Sequence, residues 1–170
     1  ATLNKDDKEK YRKLSMDLSM LTLQFDQNAL KDKNRFELLI TDENELSGLP
    51  ESARDAAAML AKSKDKNGWL FNLSAPSYIP FMRYSDKRDL REKMYREYMS
   101  VGNKGDEFDN KDIIKKIVNI RLEIAQLMGF KNYAEYALEH TMAKNSANVY
   151  KLLNQLLEAY KPIAINEYNA

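Results

Sequence analysis

Residues 149–160 read Val-Tyr-Lys-Leu-Leu-Asn-Gln-Leu-Leu-Glu-Ala-Tyr, and this stretch indicates the structural class of the chain. Its apolar residues recur at intervals of three and four, which places them along one face of an α-helix. Asn145 or Ser146 is the predicted opening residue, because short polar side chains accept the first free backbone N–H groups of a helix. Pro162 is the point at which we expect this helix to kink.

The same spacing recurs in the rest of the chain. From Ala1 to about Lys31 an apolar stripe, widened by two further leucines, predicts one long helix. Its members are Tyr11, Leu14, Leu18, Leu21, Leu23, Phe25 and Leu30. Because the stripe lasts only about two heptads, a packed helix is favoured over a coiled coil. Further helices are expected over residues 50–64, 77–84, 87–100 and 110–128, with a short one opening at Lys131 or Asn132.

Two of these helices carry expectations about the core. The helix over 110–128 has apolar residues on more than one face, which predicts a central and largely buried position. Asp109 is its expected N-cap and Gly129 its expected C-cap. The helix over 87–100 is expected to direct four residues towards the interior: Leu90, Met94, Tyr95 and Tyr98.

Two short apolar runs depart from the helical spacing. Phe36–Ile40 and Trp69–Leu73 are rich in strand-forming residues, and since a lone strand is unstable we expect them to pair with each other. Asp42 should cap a single helical turn directly after the first run. Five glycines in 170 residues are fewer than half of the usual ~7%. The predicted fold is therefore mainly α, a helical assembly with a minor two-stranded β element, and 1–170 form one segment without an internal domain boundary.

The composition excludes several classes of chemistry. With no Cys, the chain has no disulfide, no thiolate nucleophile and no Cys-ligated metal, and with one His it cannot form a two-histidine zinc motif. No glycine-rich phosphate-binding signature and no G-x-S-x-G nucleophile motif occur. The net charge of +1 gives no drive towards nucleic acid or an anionic membrane surface. No apolar stretch approaches the ~18 residues of a bilayer span.

The remaining polar residues favour structural roles. His140 lies near a predicted helix end, where an imidazole usually interacts with terminal carbonyl groups rather than acting as a base or a metal ligand. The 10 tyrosines fall mostly at helical spacing, which is typical of the edge of a core. Residues 86–97 mix charges of both signs, which predicts a solvated helix face with weak ion pairs. The pairs expected at helical spacing are Asp89–Lys93 and Glu92–Arg96.

Four blocks of sequence together resemble one family. They are residues 36–52 (FELLITDENELSGLPES), residues 68–91 from Gly-Trp-Leu-Phe-Asn-Leu to Arg-Asp-Leu-Arg, residues 109–136 with Ala-Gln-Leu-Met-Gly-Phe and Asn-Tyr-Ala-Glu-Tyr, and Met142-Ala143. Their order and spacing, over residues 14–157, are similar to those of the thimet oligopeptidase and peptidyl-dipeptidase family of zinc metallopeptidases. The peptidyl-dipeptidase (dipeptidyl carboxypeptidase) branch is the more similar one.

The resemblance implies a parent much longer than 170 residues, almost entirely helical, with two halves facing each other across a deep cleft. In that family zinc is held by the two His of H-E-x-x-H and a Glu of a following helix. The Glu of the motif activates the zinc-bound water, and short peptides are hydrolysed. Because the matched blocks lack this motif, no catalytic, cofactor-binding or metal-binding residue is assigned to this chain. The implied partners are short peptide substrates and the remaining lobe of the same polypeptide.

Two hypotheses stay open at this point. The first is a non-catalytic scaffold segment of a zinc-dependent oligopeptidase, inactive and zinc-free by itself; the helical pattern that reaches Ala170 without a C-cap fits an excised segment. It also predicts self-association of the chain, because helix faces meant for burial lose their cover. The alternative is a free-standing helical protein-binding module with a groove between helices. The lack of Cys fits a bacterial-type soluble protein of the cytoplasm or periplasm.

Overall fold

Helices dominate the computed structural model, which describes residues 3–170. Seven α-helices, one 3-10 helix and two strands follow one another in the described chain: α1 (Lys5–Arg35), β1 (Leu38–Ile40), the 3-10 helix (Glu43–Leu46), α2 (Glu51–Ser63), β2 (Trp69–Phe71), α3 (Ala75–Tyr84), α4 (Arg88–Met99), α5 (Lys111–Leu127), α6 (Tyr133–Leu138) and α7 (Ser146–Asn169). The predicted mainly α class is confirmed. None of these helices combines the length and the apolarity that crossing a membrane demands.

The two strands form an antiparallel pair, and the predicted pairing is confirmed. The register sets Leu39 opposite Leu70, with Leu38 and Ile40 on the buried side of β1. Both strands are shorter than predicted. The second ends at Phe71 because the N–H of Asn72 donates to the hydroxyl of Ser77 (3.0 Å) instead of continuing the ladder.

Helix ends follow the predicted capping chemistry. Four predicted caps accept a backbone N–H of the first turn: Asp42 from Asn44 (2.9 Å), Asp109 from Lys111 (2.9 Å), Asn132 from Glu135 (3.0 Å) and Asn145 from Asn148 (2.9 Å). Gly129 ends α5 with a φ of +86°, a left-handed conformation that glycine adopts without steric cost. The helix α7 runs through Pro162 to Asn169.

Contacts divide the chain into two units, and Leu21–Lys115 form the larger one. Its core surrounds the β pair and consists of Phe36, Leu38, Ile40, Leu46, Leu49, Ala57, Phe71, Leu73, Phe81 and Met94. Phe71 and Phe81 meet edge to face with ring centroids 4.8 Å apart, a favoured geometry for aromatic pairs. This arrangement explains the short apolar strands, since they supply the centre of a helical layer rather than a sheet.

The other unit contains α1 up to Met20 together with Lys116–Ala170. Four apolar residues of this unit are buried: Leu14, Ile117, Ile124 and Ala125. Aromatic rings cluster around α6, where Phe130 lies edge to face with Tyr136 at 5.5 Å. No residue of α7 is buried, so the apolar face of the longest helix in this unit is open in the described chain.

Three expectations about burial are wrong. The helix α5 is not largely buried, because Ile114, Val118 and Leu122 form an exposed stripe beside the buried isoleucines. In α4 Met94 is fully buried, but Tyr95 and Tyr98 are exposed because their rings lie at the edge of the packed face. The two leucines expected to widen the α1 stripe, Leu23 and Leu30, are also exposed. In each case helical spacing identified a helix correctly and overestimated the width of its buried face.

Candidate functional site

The lone histidine does not build a site. The side chain of His140 is 91% exposed and lies 3.5 Å from a carboxylate oxygen of its neighbour Glu139. It follows α6, near the helix end that the sequence predicted. Among residues 3–170, no group of three or more His, Cys, Asp or Glu side chains is placed to hold a metal ion.

Two tyrosines at the edges of the packed regions, Tyr78 and Tyr136, have perturbed hydroxyl groups. Tyr78 stacks on Tyr98 with ring centroids 4.3 Å apart. Burial raises the pKa of the Tyr78 hydroxyl above its ordinary value of 10.0, and the neighbouring Tyr98 and Tyr95 raise it further. The pKa of Tyr136 is raised first by its hydrogen bond with Tyr11 and then by burial. Raised pKa values keep both hydroxyls protonated, so neither serves as a base at neutral pH.

A buried carboxylate is the best-built polar feature of the larger unit. Asp32, on α1, is 0% exposed. Its Oδ2 accepts the N–H of Gly102 at 2.7 Å, and its Oδ1 lies 2.7 Å from Arg35 and 3.2 Å from Lys104. Burial by itself lowers the pKa of Lys104, but the hydrogen bonds that its ammonium donates to Glu97 and Asp32 outweigh burial and raise that pKa. This cluster attaches the loop between α4 and α5 to α1.

A buried amide pair lies one helical turn before that carboxylate. The side-chain amide of Asn28 donates to the Oδ1 of Asn110 at 3.1 Å, and the amide of Asn110 donates to the carbonyl oxygen of Phe25 at 3.0 Å. These two hydrogen bonds hold α1 against the start of α5. Neither the amide pair nor the Asp32 cluster has a free acid, base or nucleophile, so both are structural.

Asn28 and Asp32 are not among the residues predicted from the sequence, although the sequence carries a signal for them. The α1 stripe continues from Phe25 at the same intervals of three and four to Asn28, Asp32 and Arg35. A polar residue that occupies an apolar position of a helical stripe is buried and needs partners. Following the stripe past its last apolar member would have identified Asn28 and Asp32.

The charged helix α4 carries the second polar feature. Glu92 and Arg96 form the predicted ion pair at 2.6 Å, whereas the described side chains of Asp89 and Lys93 do not pair. A hollow of about 390 Å³ lies against this face. Its lining consists of Met82, Arg88, Arg91, Glu92, Tyr95 and Arg96.

The third feature is the apolar face of α7. Nine large apolar or aromatic residues of this helix are exposed: Tyr150, Leu152, Leu153, Leu156, Leu157, Tyr160, Ile163, Ile165 and Tyr168. Continuous apolar surface of this extent is unusual on a monomer and marks an interaction surface. The described residues therefore do not cover the apolar face of this amphipathic helix.

Comparison with known proteins finds one family. The model of peptidase family M3 matches residues 81–170. The chain is 40% identical over 164 residues to oligopeptidase A of Haemophilus influenzae, a match that covers 94% of this chain and 24% of the relative. It is 42% identical over 148 residues to a probable cytosolic oligopeptidase A of Arabidopsis thaliana, covering 83% of this chain and 21% of the relative.

A second group of relatives is more distant. The dipeptidyl carboxypeptidase of Escherichia coli is 30% identical over 168 residues, covering 98% of this chain and 25% of the relative. The chain thus spans about a quarter of the length of the curated relatives it matches.

Proposed function

The chain belongs to peptidase family M3, and from this membership we propose that it is a non-catalytic scaffold segment of a longer zinc-dependent oligopeptidase that hydrolyses short peptides. We further propose that it forms one segment of that enzyme's two-lobed, helical body, in the cytoplasm or periplasm. Identities of 40% with an oligopeptidase A and 30% with a dipeptidyl carboxypeptidase favour the oligopeptidase A branch over the peptidyl-dipeptidase branch.

The donors of this chain do not fit a catalytic zinc site. Such a site needs three protein ligands and an open position for water, and the chain offers one histidine, which is 91% exposed, beside a single carboxylate. The proposal therefore assigns zinc and the water-activating residue to the rest of the polypeptide. It gives this chain the task of holding helices in place.

The apolar face of α7 is the observation that supports a scaffold role best. From Leu152 to Ile163 its exposed apolar residues repeat at helical spacing, so a second apolar surface can cover them at once. Because the relatives are about four times as long as the match, the proposed cover is the remainder of the same polypeptide. Without that cover we expect the isolated chain to self-associate through α7.

Two substitutions on α7 test this role in the protein encoded by the complete gene. Leu156 lies on the apolar face, and Asn154 lies on the opposite side of the same helix. Leu156→Asp places a carboxylate in the proposed interface and should reduce the yield of folded enzyme and its peptidase activity at least tenfold. Asn154→Asp introduces the same charge and should change both by less than twofold.

Three results would contradict the scaffold proposal. Equal effects of the two substitutions would show that the apolar face is not an interface. Chelator-sensitive cleavage of a quenched peptide by the isolated chain would show that it is catalytic. A gene that ends close to Ala170 would favour the alternative, a free-standing module whose α7 face binds another protein.

A further inference from the structure

The hollow on α4 has the composition of an anion site. Arg88, Arg91, Glu92, Tyr95 and Arg96 are spaced so that they share one side of the helix. Three guanidinium groups and one carboxylate give the hollow a net charge of +2, although the whole chain has a net charge of only +1. The lining of the hollow is therefore positively charged.

Internal partners use only part of that charge. Glu92 is neutralised by Arg96, whose Nε donates to Glu92 Oε1 at 2.7 Å. Arg91 is half-buried and donates from one Nη to the carbonyl oxygen of Ser85, which is buried, so its guanidinium is held in position. Arg88 makes no hydrogen bond or ion pair within residues 3–170, and the hydroxyl of Tyr95 makes no hydrogen bond there.

We propose that this hollow binds the side-chain carboxylate of an acidic peptide. A guanidinium presents two parallel N–H donors that match the two oxygens of a carboxylate, and Arg88 and Arg91 both keep free donors. The Tyr95 hydroxyl is a further donor. The Met82 side chain and the Tyr95 ring add apolar contact for the methylene groups of a glutamate side chain. Only the choice of a peptide as ligand rests on the proposed function; the charge and geometry of the hollow do not.

The test is a titration of the chain with two short probes. One is acetyl-Gly-Glu-Glu-Gly-amide, and the other is the same peptide with glutamines in place of the glutamates. Binding is followed by calorimetry and by the arginine Nε–Hε signals in NMR spectra. The glutamate peptide should bind and shift arginine signals, and 0.5 M NaCl should weaken it because exposed charges are screened over a few ångströms. The glutamine peptide should not bind.

Two variants locate the binding. Arg88→Gln removes a guanidinium that has no internal partner, so the fold is retained, and affinity for the glutamate peptide should fall about threefold or more. Lys93→Gln removes the same charge from the same helix, outside the hollow, and should change affinity by less than about 1.5-fold. Circular dichroism spectra of both variants should match that of the parent chain.

Each of the following results would overturn one part of the proposal. Equal binding of the two peptides, or equal effects of the two variants, would overturn the carboxylate site. Inorganic phosphate that competes at the same affinity as the glutamate peptide would overturn the assignment of a peptide ligand and leave a general oxyanion site. Because the readout is binding and not cleavage, its failure is distinct from a failure of the proposed peptidase role.

Discussion

Replacement of the buried carboxylate of Asp32 by an amide is the sharpest test of what holds the larger unit together. In Asp32→Asn the side chain keeps its shape, and its remaining oxygen still accepts the N–H of Gly102. What is lost is the negative charge that faces Arg35 at 2.7 Å and Lys104 at 3.2 Å. The N–H groups of the new amide would also face the N–H groups of Arg35 and Lys104, and two hydrogen-bond donors cannot bond to each other.

The expected loss of stability follows from these contacts. Removing one partner of a fully buried ion pair costs about 3–5 kcal/mol. Arg35 and Lys104 keep partial contact with solvent, with side chains 37% and 20% exposed, so the cost for Asp32→Asn should be roughly 2–3 kcal/mol. For a chain of this length that corresponds to a fall in the unfolding midpoint of about 4–12 °C.

Urea and thermal unfolding measured by circular dichroism give both quantities. Asp106→Asn is the matched control, because Asp106 also pairs with Arg35 but its side chain is 33% exposed, and exposed pairs contribute little. The control should unfold close to the parent chain. Equal midpoints for the two variants would refute the argument that burial, rather than the ion pair itself, gives Asp32 its importance.

Two further predictions concern the β pair and its surroundings. Gly68 has a φ of +113°, and a Cβ atom there would overlap the carbonyl oxygen of Ile40 in β1. Gly68→Ala should therefore lower the free energy of unfolding in urea by at least ~2 kcal/mol. The control Gly105→Ala should lower it clearly less, because Gly105 also has a positive φ but open space surrounds its Cβ position. Hydrogen bonds from Lys64, and then from Lys66, hold the pKa of Glu37 below its ordinary value of 4.5. The stabilisation by ionised Glu37 is present above pH 4.5 and is lost as pH falls through the lowered pKa. The difference in free energy of unfolding between the parent chain and Glu37→Gln should therefore shrink on acidification. A difference that stays constant from pH 7 to 3 would contradict this expectation.

Local chemistry predicted most of the secondary structure. Asp42, Asp109, Asn132 and Asn145 form their caps because the residue and its N–H partner are within three positions of each other. The pairing of the two strands was predictable for a different reason, since the chain has only two candidate strands and each needs a partner. Neither inference needed knowledge of the tertiary packing.

The burial of individual side chains was less predictable, because it depends on which other elements of the fold pack against each face of a helix. Ile113 and Ile114 are adjacent in sequence and chemically identical, yet the first is buried and the second is exposed. The same limit explains Tyr95, which was expected inside and instead lines the α4 hollow. An exposed aromatic residue beside the unpaired Arg88 becomes interpretable only when the neighbouring side chains are placed.

The larger unit and α7 differ in whether their side chains find partners within the described chain. In the larger unit, buried polar groups such as Asp32 and Asn110 have their partners within the same unit, so their hydrogen bonds need no further polypeptide. In α7 the reverse holds, because its leucines have helical spacing and no cover. A chain with both properties carries a self-sufficient part and a part whose stability depends on other polypeptide. Proteolysis of the isolated chain should therefore remove α7 first and leave the β pair and its core intact, and a protease that cuts the core before α7 would contradict this dependence.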